Sequence, residues 1–244
     1  MDNSKNAVTI ENKNAGKIPI QQGRNSRPLY PHQVDAINEL NIINKQPSFS
    51  TLVVLPTGGG KTATAATWLL SAAINNTKKV LWLAHRHLLL EQAAGAFSFN
   101  AFSDLVINRQ SFKYRIISGE HDRPIHIKKD DDVLVVSKDS IIRNLDALSD
   151  WLHGENELFV VIDEAHHAIA RSYRRVIEYV KSKINNIKII GLTATPFRTS
   201  EKEQGLFGRI FPDGDNGMVY KIDLDTLIKR DIFPRRSLKA VILT

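Results

Sequence analysis

A glycine-rich run at residues 55–62, LPTGGGKT, has the residue types of a phosphate-binding loop, although Leu55 stands where the usual pattern begins with glycine. Glycines let successive backbone N–H groups point at one anion, and the helix that follows adds the positive end of its dipole. Lys61 can reach the β- and γ-phosphates, and the Thr62 hydroxyl can hold Mg²⁺. A plain turn would not need Lys-Thr at the helix start, so the run predicts a nucleoside triphosphate site. The predicted nucleotide contacts are Thr57, Gly58, Gly59, Gly60, Lys61 and Thr62.

Two adjacent carboxylates follow a run of five apolar residues at 158–162. Such a run predicts a buried strand of a parallel sheet, and α/β folds bind ligands at the carboxyl ends of these strands. Asp163 would hold Mg²⁺ through water there, and Glu164 would polarise the water that attacks the γ-phosphate. Taken alone, the pair could equally be a helix N-cap with favourable charge. Beside the phosphate loop, the pair instead predicts a phosphoryl-transfer site in which Lys61 and Glu164 are catalytic and Thr62 and Asp163 hold the metal.

These motifs carry a family resemblance. Residues 163–166 (DEAH) resemble the Walker B motif of superfamily 2 helicases and translocases, and three further segments stand in that family's order. They are 27–33 (RPLYPHQ), similar to the adenine-recognising Q motif, 81–92 (LWLAHRHLLLEQ), similar to motif Ia, and 191–198 (GLTATPFR), similar to motif III. DEAH with TATPFR is most similar to the restriction and DNA-repair branch, which includes type I and type III restriction motor subunits. The resemblance implies a RecA-like domain that uses ATP and Mg²⁺ and acts on nucleic acid, with duplex DNA the expected partner.

The Q-motif resemblance adds two residues to the nucleotide site. Gln33 offers both an amide donor and a carbonyl acceptor, which is what reading the N6 and N7 edge of adenine requires, and Tyr30 could stack on the base. Without the other motifs, Gln33 would be interpreted as an exposed polar residue at the start of a helix over residues 33–40.

Motif III and the histidine of DEAH are implied to couple the nucleotide state to movement. Thr193 and Thr195 follow an apolar strand, and their hydroxyl groups could hydrogen-bond to the carboxylate motif. The same residues also suit a strand-end turn closed by Pro196, and a rigid turn can serve as a relay. The predicted coupling residues are His166, Thr193 and Thr195.

Two polar pairs follow strand ends where this family touches the nucleic-acid backbone. They are His85 with Arg86 and Ser137 with Lys138, and both pairs are expected at the sheet edge that carries the phosphate loop. The alternative is that these residues only cap the next helix. A metal site built from neighbouring histidines is disfavoured, because adjacent side chains point apart and no third ligand is evident.

Composition limits the remaining classes of protein. The chain has 244 residues, 42% of them apolar, and 33 basic against 26 acidic residues give a net charge of +7, which suits a polyanionic partner without requiring one. The absence of cysteine excludes disulfides and thiolate metal sites. The sequence has no apolar run of 18 residues and no apolar signal core at its start, so we expect no membrane insertion and a cytoplasmic location.

Strand and helix patterns alternate through most of the chain and predict an α/β fold, with a parallel sheet covered by helices on both faces. Residues 1–26 are predicted to be a flexible arm, 27–211 the RecA-like domain, and 212–244 a connector with a short strand at 218–224 and a helical turn at 225–230. The predicted strands are 51–55, 80–84, 115–118, 133–137, 158–163 and 188–192, and the predicted helices include 63–75, 87–97 and 172–183.

The family also needs a second RecA-like domain, which we expect beyond residue 244 because an apolar stretch, 237–244, ends the sequence. Its arginine finger would lie in a pattern resembling Q-x-x-G-R-x-x-R. Residues 204–209 (QGLFGR) have the wrong spacing and lack the last arginine, so we predict a surface loop with Arg209 solvated. Without a finger, we expect this fragment to be nearly inactive in ATP hydrolysis.

The sequence thus predicts the ATP-binding motor domain of a DNA helicase or translocase. Two alternatives stay open: a nucleotide-dependent module that binds or senses nucleic acid without processive turnover, and a phosphate-loop NTPase that acts on protein complexes. DNA-stimulated turnover would separate the first reading from both others.

Overall fold

A computed structural model describes residues 14–168, 170–195, 201–230 and 232. Its centre is an eight-stranded sheet in the order β1-β4-β5-β3-β6-β7-β2-β8. Strand β1 pairs antiparallel with β4, and the other described pairs of strands are parallel. The strands are β1 (Ala15–Pro19), β2 (Phe49–Val54), β3 (Lys79–Ala84), β4 (Ser111–Ile117), β5 (Val133–Ser137), β6 (Glu157–Asp163), β7 (Asn186–Thr193) and β8 (Met218–Lys221).

Helices cover both faces of this sheet, so the predicted α/β class is confirmed. They are α1 (Pro31–Ile43), α2 (Lys61–Ala72), α3 (His87–Asn100), α4 (Lys138–Ile141), α5 (Ala147–Leu152), α6 (Arg171–Lys183), α7 (Glu201–Ile210) and α8 (Leu224–Lys229). Short 3₁₀ turns occur at Ile74–Asn76, Pro124–His126 and Ala165–His167. Among the described residues, none of the helices is long and apolar enough to cross a membrane.

Two apolar clusters explain why the central strands are continuous hydrophobic runs. In β6, Phe159 and Val161 join the cluster beneath α1, α2 and α3, whereas Leu158, Val160 and Ile162 join the one beneath α4, α5, α6 and α7. A strand buried on both faces has no polar side, so its sequence shows no alternation. This burial is what made the central strands predictable to within a few residues.

The prediction of a flexible arm over residues 1–26 is wrong for Ala15–Pro19, which form the edge strand β1. Ile18 is only 2% exposed, and the chain continues into backbone bonds from Ile20 N to Gln110 O and from Gln21 N to Ala101 O, each 2.8 Å. A five-residue edge strand with one buried side chain has almost no apolar pattern, so the sequence does not predict it. Residues 1–13 lie outside the described range.

The predicted surface loop at residues 204–209 is also wrong, because these residues belong to helix α7. Its two glycines, Gly205 and Gly208, disguise the helical pattern, while Phe207 and Ile210 are buried against the sheet. Arg209 is exposed, as predicted. The strand predicted at 218–224 ends earlier, at Lys221, and the apolar stretch 237–244 lies outside the described residues.

Candidate active site

The glycine-rich run joins β2 to α2 and has the backbone that only glycine adopts easily. Gly58 and Gly60 have φ angles of +80° and +81°, in the left-handed region, and a Cβ on Gly59 would lie 2.9 Å from the carbonyl oxygen of Pro56. Helix α2 starts at Lys61 without a side-chain cap, so its first N–H groups face the loop. Thr57 and Gly58 are exposed, whereas Gly60, Lys61 and Thr62 are half-buried. The loop can therefore present backbone donors and one cation to a phosphate.

Asp163 ends strand β6 at the same sheet edge and is buried, with 2% exposure. Its Oδ1 accepts a hydrogen bond of 3.0 Å from the backbone N–H of Glu164. Its Oδ2 is buried and has no hydrogen-bond partner in the described part of the chain. Burial and the neighbouring charge of Glu164 raise the pKa of the Asp163 carboxyl to about 6. An unpartnered carboxylate oxygen of this kind fits a hard divalent cation.

Glu164 has a φ angle of +51°, which is a strained conformation for a residue with a side chain. The left-handed turn brings its carboxylate back toward the phosphate loop, where Oε1 lies 3.9 Å from the Nζ of Lys61. The two predicted catalytic residues are therefore neighbours, although 103 positions separate them in the sequence. They meet because β6, β7 and β2 are adjacent parallel strands whose carboxyl ends share one edge.

The predicted coupling residues also converge. The Nδ1 of His166 lies 3.4 Å from Oε2 of Glu164 and 3.4 Å from the hydroxyl of Thr193. That hydroxyl donates to the carbonyl of Thr195 at 3.0 Å, and the Thr195 N–H donates back to it at 3.2 Å. Polar contacts thus run from Glu164 through His166 and Thr193 to the end of β7.

The start of α1 packs against the phosphate loop. The Oε1 of Gln33 accepts a 2.8 Å hydrogen bond from the backbone N–H of Tyr30. Its Nε2 lies so close to Gly60 that a Cβ on that residue would be only 2.1 Å from it. Gln33 is 6% exposed, so it is not the exposed polar residue of the alternative reading. Tyr30 is 55% exposed and stacks on His32 at 5.8 Å, which leaves a free aromatic face at the mouth of the site.

His32 is a site residue that the sequence reasoning missed. Its ring is fully buried, and its Nε2 lies 2.9 Å from the carbonyl oxygen of Gly59. A carbonyl only accepts, so this nitrogen carries the proton and donates. The bond ties the segment at 27–33 to the phosphate loop. The signal was present in the sequence, since His32 stands directly before Gln33.

The four predicted nucleic-acid residues lie together. Strands β3 and β5 are paired with Ala84 opposite Ser137, so His85 and Arg86 emerge beside Ser137 and Lys138. Arg86 is exposed, Lys138 is half-buried and pairs with Asp139 at 2.6 Å, and Ser137 is buried. Burial and the neighbouring His167, Arg86 and Lys138 lower the pKa of His85. This edge of the sheet thus presents the positive charge of Arg86 to solvent. Ser137 is only 7% exposed, so its side chain offers little surface to a bound nucleic acid.

A further contact joins this edge to the carboxylate motif. The rings of His85 and His167 meet edge to face at 4.6 Å, and the rings of His167 and His166 lie 4.1 Å apart. His167 is the second residue that sequence reasoning did not assign. Within the described residues, no group of three or more His, Cys, Asp or Glu side chains is arranged to hold a metal ion.

Known proteins resemble this chain in sequence and fold. Residues 26–198 match the family model described as "Type III restriction enzyme, res subunit". The chain belongs to this family. The predicted membership of superfamily 2, in its restriction and DNA-repair branch, is confirmed, and the fold is that of a RecA-like helicase domain.

Two relatives show how far the likeness of this chain to known proteins extends. "Putative ATP-dependent helicase IRC3" of Saccharomyces cerevisiae is 33% identical over 183 residues, 71% of this chain and 24% of that protein. "ATP-dependent DNA helicase Hel308" of Pyrococcus horikoshii is 24% identical over 72% of this chain and 23% of its own length. The chain therefore spans about a quarter of the length of these relatives.

Solved structures support the fold of this chain. The Pyrococcus furiosus Hef helicase domain aligns with a TM-score of 0.56 at 26% identity, over 76% of this chain and 37% of its own. The Type ISP restriction-modification enzyme LlaGI, solved with a DNA substrate mimic, aligns with a TM-score of 0.58 at 18% identity, over 87% of this chain and 22% of its own. At that lower identity the likeness concerns the fold.

Proposed function

We propose that this chain is the ATP-binding motor domain of a DNA helicase or translocase and that it hydrolyses ATP with Mg²⁺. One observation carries the proposal: Lys61 and Glu164 lie 3.9 Å apart beside the buried, unpartnered Oδ2 of Asp163. A phosphate-binding cation, a candidate general base and a candidate metal ligand thus surround one point at the start of α2. That set is what in-line phosphoryl transfer needs.

Each residue has a distinct role in this proposal. Lys61 and the N–H groups of the loop bind the β- and γ-phosphates, while Thr62 and Asp163 hold Mg²⁺. Glu164 orients and polarises the attacking water. When bound, Mg²⁺ would neutralise charge that develops on the phosphate oxygens. His166, in contact with both Glu164 and Thr193, would report the state of the γ-phosphate to the end of β7.

Adenine recognition is assigned to Tyr30 and to Gln33 in the first turn of α1. Tyr30 offers an exposed ring for stacking. Gln33 already uses one lone pair of its carbonyl oxygen to accept the Tyr30 N–H, so reading the N6 and N7 edge of adenine would use the second lone pair together with the amide group. Its amide group is held against Gly60, which ties base recognition to the phosphate loop.

DNA is proposed as the second partner. Arg86 and Lys138 provide positive charge at the sheet edge that carries the nucleotide site, and the chain has a net charge of +7. The relative Hel308 is named a DNA helicase, and three structural neighbours were solved with DNA or a DNA substrate mimic. We further propose that a second RecA-like domain completes the motor with an arginine finger, and that the protein works in the cytoplasm.

Two measurements on this chain test the proposal. Calorimetry should detect ATP binding that tightens with Mg²⁺, and duplex DNA should bind with an affinity that depends on nucleotide. No ATP binding would refute the proposal. Tight nucleotide binding without any DNA binding would instead support an NTPase that acts on protein complexes, and DNA binding in a complete protein that never turns over would support a sensing module.

A further inference from the structure

The three tryptophans of this chain differ in how their indole N–H groups are satisfied. The N–H of Trp68 donates to Oδ1 of Asn41 at 3.0 Å, and that of Trp151 donates to the carbonyl of Asp131 at 2.7 Å. The N–H of Trp82 is fully buried and has no hydrogen-bond partner in the described part of the chain. Buried polar groups are nearly always paired, because an unpaired one loses its bonds to water without replacement. Trp82 therefore needs an explanation.

A buried hydrogen-bond acceptor that also lacks a partner lies on the adjacent strand. Trp82 in β3 stands opposite Val161 in β6, so Asp163 is its diagonal neighbour on the same face of the sheet. The Oδ2 of Asp163 is likewise buried and unpartnered among the described residues. An aromatic side chain can reach a diagonal neighbour. The indole N–H of Trp82 is placed to donate toward the Asp163 carboxylate.

Packing fixes the indole in this position. Its ring meets the ring of Phe97 edge to face, with centroids 5.9 Å apart and planes at 80°, inside the apolar cluster beneath α2 and α3. The ring cannot turn away without opening that cluster, since protein interiors are close-packed. The indole N–H of Trp82 is thus held on the face of the sheet that carries Asp163 at the end of β6.

We propose that Trp82 is a positioning residue for the metal site, whose indole N–H orients Oδ2 of Asp163 toward Mg²⁺. This inference rests on the proposed function, which assigns Mg²⁺ to Asp163. A neutral donor suits the task, because it stabilises the carboxylate without adding a positive charge that would repel the metal. A carboxylate has lone pairs for about four partners, so one indole bond and the bond from Glu164 N–H leave room for metal-bound water.

The test compares Trp82→Phe with Trp68→Phe. Both changes remove one buried indole N–H from the same apolar cluster, but only the first faces Asp163. We would titrate Mg²⁺ into each protein with ADP and follow binding by calorimetry. For Trp82→Phe, the Mg²⁺ concentration at half-saturation should rise about tenfold, as expected for one lost hydrogen bond to a charged group. Metal-free ADP affinity should not change, and Trp68→Phe should bind Mg²⁺ like the wild type.

A second readout does not depend on bound metal or on the folding of the Trp82 variant. In ¹H–¹⁵N spectra of the metal-free chain, Asp163→Asn should shift the indole resonance of Trp82 and leave those of Trp68 and Trp151 in place. Unchanged Mg²⁺ dependence in Trp82→Phe, or an unshifted Trp82 resonance in Asp163→Asn, would overturn the inference. If the wild-type chain bound ADP with no Mg²⁺ dependence, the proposed metal site itself would fail, whatever the indole resonance showed.

Discussion

The Nζ of Lys61 lies 3.9 Å from Oε1 of Glu164, so the cation assigned to phosphate and the carboxylate assigned to water face each other directly. Both side chains are largely shielded from solvent, at 11% and 27% exposure. A bound γ-phosphate would compete with Glu164 for Lys61. Binding would therefore both neutralise the phosphate and release the carboxylate toward the attacking water.

Gly60→Ala should damage the phosphate loop through two independent effects. The new Cβ would lie 2.1 Å from Nε2 of Gln33, and the φ angle of +81° is unfavourable for alanine. Such backbone strain alone costs about 1 to 3 kcal/mol. We expect a lower melting temperature and ATP binding weakened at least about tenfold. Gly95→Ala is the matched control, because it has open space in helix α3; equal behaviour of the two variants would contradict the described loop.

Strand β1 should contribute to stability. Ile18→Ala removes a side chain that is 2% exposed and should lower the free energy of unfolding by about 2 kcal/mol or more, as measured by urea denaturation. Lys17→Ala, at the neighbouring exposed position, should be close to neutral. If Ile18→Ala were as harmless as Lys17→Ala, this segment would be the flexible arm that the sequence suggested.

The sequence predicted the central strands and the motifs of the nucleotide site. The central strands were found because burial on both faces makes them apolar throughout, and the site motifs because phosphate and Mg²⁺ demand particular residues. The edge strand β1 and the glycine-containing helix α7 were missed, since neither shows a clear period. The packing of His32 on Gly59 and of Trp82 beside Asp163 depends on distances between elements, which the spacing of residues along the chain does not encode.

Asp163 should make stability depend on pH in the direction opposite to an ordinary carboxylate. Its pKa is raised from 3.8 to about 6, so the folded state binds the proton more tightly than the unfolded state does. Stability therefore falls as pH rises through this window. In metal-free buffer, the stability of Asp163→Asn relative to wild type should increase by about 2 kcal/mol from about pH 4.5 to about 7.5. Urea denaturation at several pH values measures it, and a constant difference would contradict the raised pKa.

DNA binding should be weak, independent of sequence and strongly dependent on salt. Arg86, Lys138 and one helix N-terminus would make about three phosphate contacts. With about −0.9 per contact, the log-log salt slope on duplex DNA should be near −2.7. Arg86→Glu should weaken binding to all sequences alike, because phosphate contacts carry no base information. Fluorescence anisotropy across salt concentrations measures this. A flat salt response, or full binding by Arg86→Glu, would place the nucleic-acid path elsewhere.

The most direct test of the central claim is ATP binding and single-turnover hydrolysis by Lys61→Ala and Glu164→Gln. Lys61→Ala removes the charge that binds the phosphates, so ATP binding should be lost. Glu164→Gln keeps the loop and frees Lys61 from its 3.9 Å partner, so ATP should bind at least as tightly as in the wild type. The slow single-turnover hydrolysis that we expect of the wild-type chain should disappear in this variant. Unchanged ATP affinity in Lys61→Ala, or wild-type hydrolysis in Glu164→Gln, would contradict the assignment of this site.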